Sequence, residues 1–230
     1  MKQALFESAF FGVVISIAGY ALGMFLRKKL KRSFVNPLLI SVIFVIGALL
    51  LLGIDYGTYN IGGQYISYFL TPATVCLAIP LYQQLHLLKR HKKAVILSIL
   101  AGVLSSAGSI LALAYLFGLN HQQYVTLLPK SITTAIGIGV SAELGGIQTI
   151  TVAAIIITGI LGNIIAEGVF KLFRITHPVA MGLALGVSSH AIGTAKALEL
   201  GEVQGAMSSL SIAVAGLLTV VSVSFFAMLL

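Results

Sequence analysis

The chain has 230 residues, 58% of them hydrophobic and 9% charged, with mean hydropathy +1.06 and formal net charge +8. A soluble domain carries about 25% charged residues, so this composition excludes a water-soluble core and specifies a polytopic membrane protein. The 14 basic residues, against six acidic ones, sit beside apolar segments, which is the pattern of cytoplasmic loops and not of nucleic-acid binding.

Residues 8–26 form the first expected span, with Gly19 and Gly23 at the spacing that permits close helix approach. The segment is too long for the apolar part of a cleaved signal peptide and has no A-x-A site before its basic flank, so it is expected to stay. Arg27, Lys28, Lys29, Lys31 and Arg32 follow it. Residues 37–53 form the second span, after Asn36-Pro37, where proline suits a first helical turn. "DYGTYNIGG" (55–63) reads as a turn-rich interfacial loop. Residues 64–86 form a third span, interrupted by Pro72 and Pro80. Cys76 is the one cysteine, which excludes an intrachain disulfide. Lys89, Arg90, Lys92 and Lys93 then precede a fourth span at 94–118.

With loops 27–32 and 89–93 cytoplasmic, the N-terminus lies outside, as do 55–63 and 118–124. Lys171 and Arg174 require the span 147–170 to end inside and so to start outside. Residues 125–146 must therefore leave and return on the outer face. At about 1.5 Å per residue they cross a bilayer once, not twice, which predicts a re-entrant hairpin. "TTAIGIGVSAELGGIQ" (133–148) aligns with "SHAIGTAKALELGEVQ" (189–204) at an offset of 56, with seven identities in 16 positions. Glu143 and Glu199 recur in place, although only six residues are acidic, so the match reads as an internal repeat. The second unit, about 177–200, would enter from inside, and a last span at 204–228 would run outward. The expected fold is an all-α polytopic membrane protein, a single transmembrane domain over 1–230. It has an inverted-repeat, transporter-like architecture with about six full helices and two re-entrant broken hairpins, in units of about 125–148 and 177–204.

Broken helices at membrane depth leave N–H groups that protein, water or ligand must satisfy, and their N-terminal ends favour an anion. Lys130, Ser131, Thr133 and Thr134 flank the first break; Ser188, Ser189, His190, Gly193 and Thr194 flank the second. Thr71 and Thr74 stand beside Pro72 in a fainter echo. Together they are a candidate site for a small organic anion. Each group also has a plainer role. The hydroxyls serve equally as caps, His190 as a donor to a carbonyl across the break, and Lys130 as a snorkelling surface cation. Glu143 and Glu199 suit solvated ends or pairing with Lys196, and Asn163 suits an inter-helix bond. No catalytic motif, metal spacing or cofactor fingerprint is present, so neither an enzyme nor a cofactor is expected.

"NIGGQYISYFLTPATVCLAIPLY" (60–82), "LLPKSITTAIGIGVSAELGGI" (127–147) and "GLALGVSSHAIGTAKALELGEVQGAMSSLSIAVAGLLT" (182–219) occur in this order. With them the chain closely resembles, end to end, the LrgB/CidB family of bacterial membrane proteins. "SSHAIGTAKALELGE" is more similar to the CidB-type branch. The resemblance implies a multi-pass protein of the bacterial inner membrane and two functional stories. In one, these proteins are holin- or antiholin-like partners of a small LrgA/CidA-type protein and modulate murein hydrolase activity and cell lysis. In the other, they resemble the LrgB-like half of the plastid glycolate/glycerate transporter and carry small monocarboxylates such as pyruvate. The blocks Thr71–Thr74, Lys130–Thr134 and Ser188–Thr194 would then be the site. The repeated broken hairpins favour the carrier, working by alternating access and as a homodimer, as many carriers of this size do.

Overall fold

The computed structural model describes residues 8–30, 35–76 and 78–230. Several side chains within 70–91, those of Thr71 and Thr74 among them, fall outside that description, so the site expectation for those two threonines does too. Among the described residues the secondary structure is entirely helical. Four helices are long and apolar enough to cross a membrane: Ala9–Leu30, Lys92–Phe117, Gln148–Leu172 and Glu202–Ala227. The chain is therefore a helical, multi-span membrane protein. It divides into two compact units, one ending at Cys76 and one containing the residues from Ala78 onward.

In the first unit, α1 (Ala9–Leu30) packs against α2 (Pro37–Leu52) and α3 (Tyr56–Ser67). Gly19 faces Ser41 and Phe44, and Gly23 faces Pro37, so α1 and α2 run antiparallel along the side that the glycine spacing marks. Asn36 caps α2 by accepting from the amides of Leu38 and Leu39 at 2.9 and 3.1 Å. One expectation fails here. The segment 55–63 is helix, not loop. Asp55 caps it by accepting from the Thr58 amide, and Gly62 lies against the backbone of Gly12, so this glycine serves close approach and not a turn. The third expected span is separated from α3 by a turn at Tyr68 and Phe69 and is described as Leu70–Cys76 (α4) and Ala78–Gln83 (α5), with residue 77 outside the described residues. Pro72 stands third in α4, where the missing N–H would lack an intrahelical acceptor anyway.

The second unit continues with α6 (Leu85–Phe117), α7 (His121–Leu127), α8 (Thr134–Glu143), α9 (Gln148–Leu172), α10 (Pro178–Leu200) and α11 (Glu202–Ala227). Buried Pro129 ends α7, and the chain turns before Thr133 begins α8 in an extended conformation. Gln122 reaches Gly145, and Thr126 reaches Ile147 and Thr151, so α7 runs alongside α9 in the same direction. The Thr151 hydroxyl bonds Ser141 at 2.7 Å and Gly137 meets Ile155, so α8 runs against α9. The pair α7–α8 is a hairpin.

The second hairpin lies inside α10. His190 takes φ 42° and ψ −135°, which interrupts the helix. In a straight helix residues eight apart are separated by about 12 Å, yet Gly193 sits against the Leu185 carbonyl and the Ser189 side chain. The entering arm (178–189) and the leaving arm (191–200) are folded back on each other. Gly182 meets Gln204 and Met207, and Gly186 meets Ser208 and Ser211, so the entering arm runs with α11. Thr194 bonds Ser208 at 2.7 Å and Leu198 meets Gly205, so the leaving arm runs against it. Asn163 bonds the Ile192 carbonyl and Glu167 pairs with Lys196, so the leaving arm runs with α9. α6 lies along the entering arm, with Val95, Ile99 and Val103 packed in one cluster with Val179, Leu183 and Val187.

Contact at Gly193 has a direct test. Gly193→Val should cost about 1–3 kcal/mol through overpacking and lower the thermal midpoint in detergent. Gly139→Ala, where an added methyl meets nothing within 4 Å, should match or exceed wild type.

Candidate functional site

A cavity of about 510 Å³ lies between α6, the tip of the first hairpin, α9 and the entering arm of α10. Hairpin geometry brings Lys130 and Ser131 from one tip and Ser188 and Ser189 from the other to its wall. Lys130 follows Pro129 in a tight turn in which its amide donates to the Leu127 carbonyl at 3.1 Å. Its Nζ donates to Ser131 Oγ at 2.9 Å and to Ser106 Oγ at 3.3 Å. The two serine hydroxyls are themselves 3.1 Å apart. No carboxylate lines the cavity, and among the described residues no carboxylate forms an ion pair with Lys130. Lys130 is thus not a snorkelling surface residue but a cation of the cavity wall, held by neutral hydroxyls.

On the other tip, Ser188 donates to the Ala184 carbonyl at 2.7 Å and shares a 3.0 Å bond with Ser189. Ser189 is buried against Gly162 of α9, at a point where any side chain larger than hydrogen would collide. His190 lies just behind. A carbonyl can only accept, so its Nε2 carries the proton and donates to the Ile155 carbonyl at 2.9 Å. The ring is buried against Gly159 and does not line the cavity. Thr194 donates to the His190 carbonyl at 3.0 Å, which anchors the break from its far side. Gly193 is the contact between the arms. Thr133 and Thr134 are half-buried and also stand off the cavity, and Thr133 makes no capping bond with its side chain. The expected residues therefore separate into wall (Lys130, Ser131, Ser188, Ser189) and scaffold (His190, Gly193, Thr194), with Thr133 and Thr134 at the start of α8.

Most of the wall was not anticipated from the sequence. Ser98, Gly102, Ser105, Ser106 and Ser109 of α6 line it, with Thr158 and Gly162 of α9. The signal was present: 98, 102, 105, 106 and 109 fall on one helical face, and all are small or hydroxylic in an otherwise apolar span.

The family model described as the LrgB-like family matches residues 16–229. The chain belongs to the LrgB-like family. It is 38% identical over 224 residues to the antiholin-like protein LrgB of Bacillus subtilis (strain 168), covering 97% of each chain. No solved structure matches it.

This LrgB-like chain carries, besides half-buried Lys130, a buried lysine with different company. Lys196 pairs with Glu167 of α9 and, at 3.6 Å, with Glu199 one turn along its own arm. The Glu199 pairing follows the i,i+3 spacing, whereas Glu167 lies 29 residues away and was not anticipated. The pair fastens the leaving arm to α9. Lys196→Met should destabilise the protein by about 2 kcal/mol, less than a fully buried pair because both carboxylates retain solvent contact. Glu167→Gln should cost less, since Glu199 remains. Lys196→Met combined with Glu167→Leu should recover most of the loss, as read from thermal midpoints in detergent.

Proposed function

We propose that this LrgB-like protein is a membrane carrier of small organic anions, with monocarboxylates such as pyruvate, glycolate and glycerate as the substrate class. Lys130 carries the proposal. A lysine on a cavity wall, hydrogen-bonded to hydroxyls and with no carboxylate partner among the described residues, suits an anionic ligand. Ser131, Ser106, Ser188 and Ser189 supply neutral hydrogen bonds that suit a carboxylate with an adjacent hydroxyl or keto oxygen.

Alternating access within an inverted repeat completes the reading. Three features of the fold support it. Helices α7, α8 and α9 run up, down and up; the two arms of α10 and then α11 run down, up and down. The second strut of each unit meets the following helix in nearly the same register, Ser141 with Thr151 in one and Thr194 with Ser208 in the other, close to the 56-residue offset of the sequence repeat. Both tips meet at the cavity, as in carriers whose broken helices bind substrate between repeats. The end of the second unit bearing Lys92, Lys93, Lys171 and Arg174 is then cytoplasmic, and the N-terminus outside. A homodimer in the bacterial inner membrane is the working assembly.

A second reading has its own ground. The relative named antiholin-like LrgB supports a role in restraining lysis together with a small LrgA/CidA-type membrane protein. Its LrgB name lends no weight to the CidB-type branch. The two roles are compatible, because flux of a metabolic acid alters the conditions under which lysis proceeds.

Uptake of radiolabelled pyruvate, glycolate and glycerate into proteoliposomes holding trapped dye separates them. Saturable, competable uptake without dye loss is expected of the wild type. Lys130→Met should lower it about tenfold or more, equivalent to about 1.4 kcal/mol of anion binding, with Lys130→Arg intermediate. Dye loss without saturation, or activity that requires the small partner, would favour the antiholin reading.

A further inference from the structure

The cavity is lopsided along the bundle. On α6 its wall begins at Ser98 and on α10 at Ala180, each within two helical turns of the basic end marked by Lys92, Lys93 and Arg174. Ser98, Ala180 and Ala184 are exposed there, and the exposed side of the wall continues along α6 through Ser105 to Ser109. The opposite end is packed shut. Ile110, Tyr124, Leu128, Ile132, Val223 and Phe226 form one buried cluster, in which Tyr124 is 0% exposed and donates from Oη to the Phe226 carbonyl at 2.9 Å.

Between the two lies a second, far smaller cavity of about 10 Å³, about the space of one water. It shares Ser106, Ser131 and Val187 with the large cavity, and Leu128, Ile132 and Val223 with the packed cluster. Its remaining wall includes Thr219 and Ser222 of α11. These two half-buried hydroxyl residues stand in an apolar helix, on the far side of the Ser106–Ser131 hydrogen bond from the open cavity. Hydroxyls on both sides of one thin partition continue the polar lining where the surrounding packing is otherwise apolar.

We propose that the two cavities are segments of a single anion path, that the structure is the state open at the basic end, and that Thr219 and Ser222 receive the anion beyond the gate. The gate is the Ser106–Ser131–Val187 partition backed by Leu128, Ile132 and Val223. Opening it moves the Lys130-bearing tip away from α6, which transfers the carboxylate from Ser106 toward Thr219 and Ser222. This inference rests on the carrier reading but can fail separately from it.

The test uses sided membrane vesicles of the full chain in a Cys76→Ser background, since Cys76 is exposed and would itself react. A membrane-impermeant maleimide should modify Ser98→Cys and Ala184→Cys from the face bearing Lys92 and Lys93 only, and added pyruvate should slow both. Thr219→Cys and Ser222→Cys should react at least an order of magnitude more slowly from that face. They should become reactive from the opposite face when pyruvate is supplied there. A disulfide between Leu128→Cys and Val223→Cys should abolish uptake while leaving Ser98→Cys as reactive as before. Labelling of Ser98→Cys from the opposite face would overturn the proposal. So would equal rates for Ser222→Cys and Ser98→Cys from the basic face, or uptake that survives the disulfide. Dye loss without saturable uptake by the wild type would instead sink the carrier reading, whatever the labelling pattern.

Discussion

The hydrogen bond from the His190 ring to the Ile155 carbonyl holds the rest of the site in place. A helix broken at membrane depth exposes polar backbone that lipid cannot satisfy, and a non-glycine residue at φ 42° adds about 1–3 kcal/mol of strain. The fold meets both costs locally. The ring reaches across to α9, Thr194 binds the carbonyl of the broken residue, and Gly159 and Gly162 let the tip approach closely. With the tip fixed, Ser188 and Ser189 face the first hairpin and the cavity exists. His190 is therefore a structural pin, and the proposed anion site rests on Lys130 instead.

Much of this was legible in the sequence because it rests on local chemistry. Proline and short polar residues in an apolar segment mark a chain that cannot continue as a helix, and the breaks fall beside Lys130 and at His190. Basic residues mark helix ends, and the spans at 94–118, 147–170 and 204–228 fall within one to a few residues of α9 and α11 and inside α6. What stayed hidden depends on tertiary register. Serines on α6 look like ordinary packing residues until the facing helix is known, and Glu167 acquires its meaning only when α9 lies beside the leaving arm. Glycine misled at 62 because close helix approach and turn formation select the same residue.

Two lysines, half-buried Lys130 on one hairpin and buried Lys196 on the other, have different surroundings in this LrgB-like protein. Lys196 is neutralised within the protein by Glu167 and Glu199, so the second hairpin carries its charge as part of its own fastening. Among the described residues, the hydrogen-bond partners of the Lys130 Nζ are the hydroxyls of Ser106 and Ser131. One lysine completes the scaffold; the other leaves a charge for something outside the chain to answer. Membership in a family known through an antiholin-like relative is consistent with that arrangement, since a lysis regulator and an acid carrier can be the same molecule seen at different scales.

The contrast between the two cavities also has an electrical consequence. At about 30 Å³ per water in the liquid, 510 Å³ has room for on the order of 17 molecules, whereas 10 Å³ admits at most about one. A hydrated, serine-lined vestibule conducts the potential of the adjoining solution inward, so the low-dielectric layer at this point is much thinner than the bilayer. In the proposed carrier, with water filling that vestibule, most of the transmembrane voltage would fall across the partition of Ser106, Ser131 and Val187, beside the Lys130 side chain.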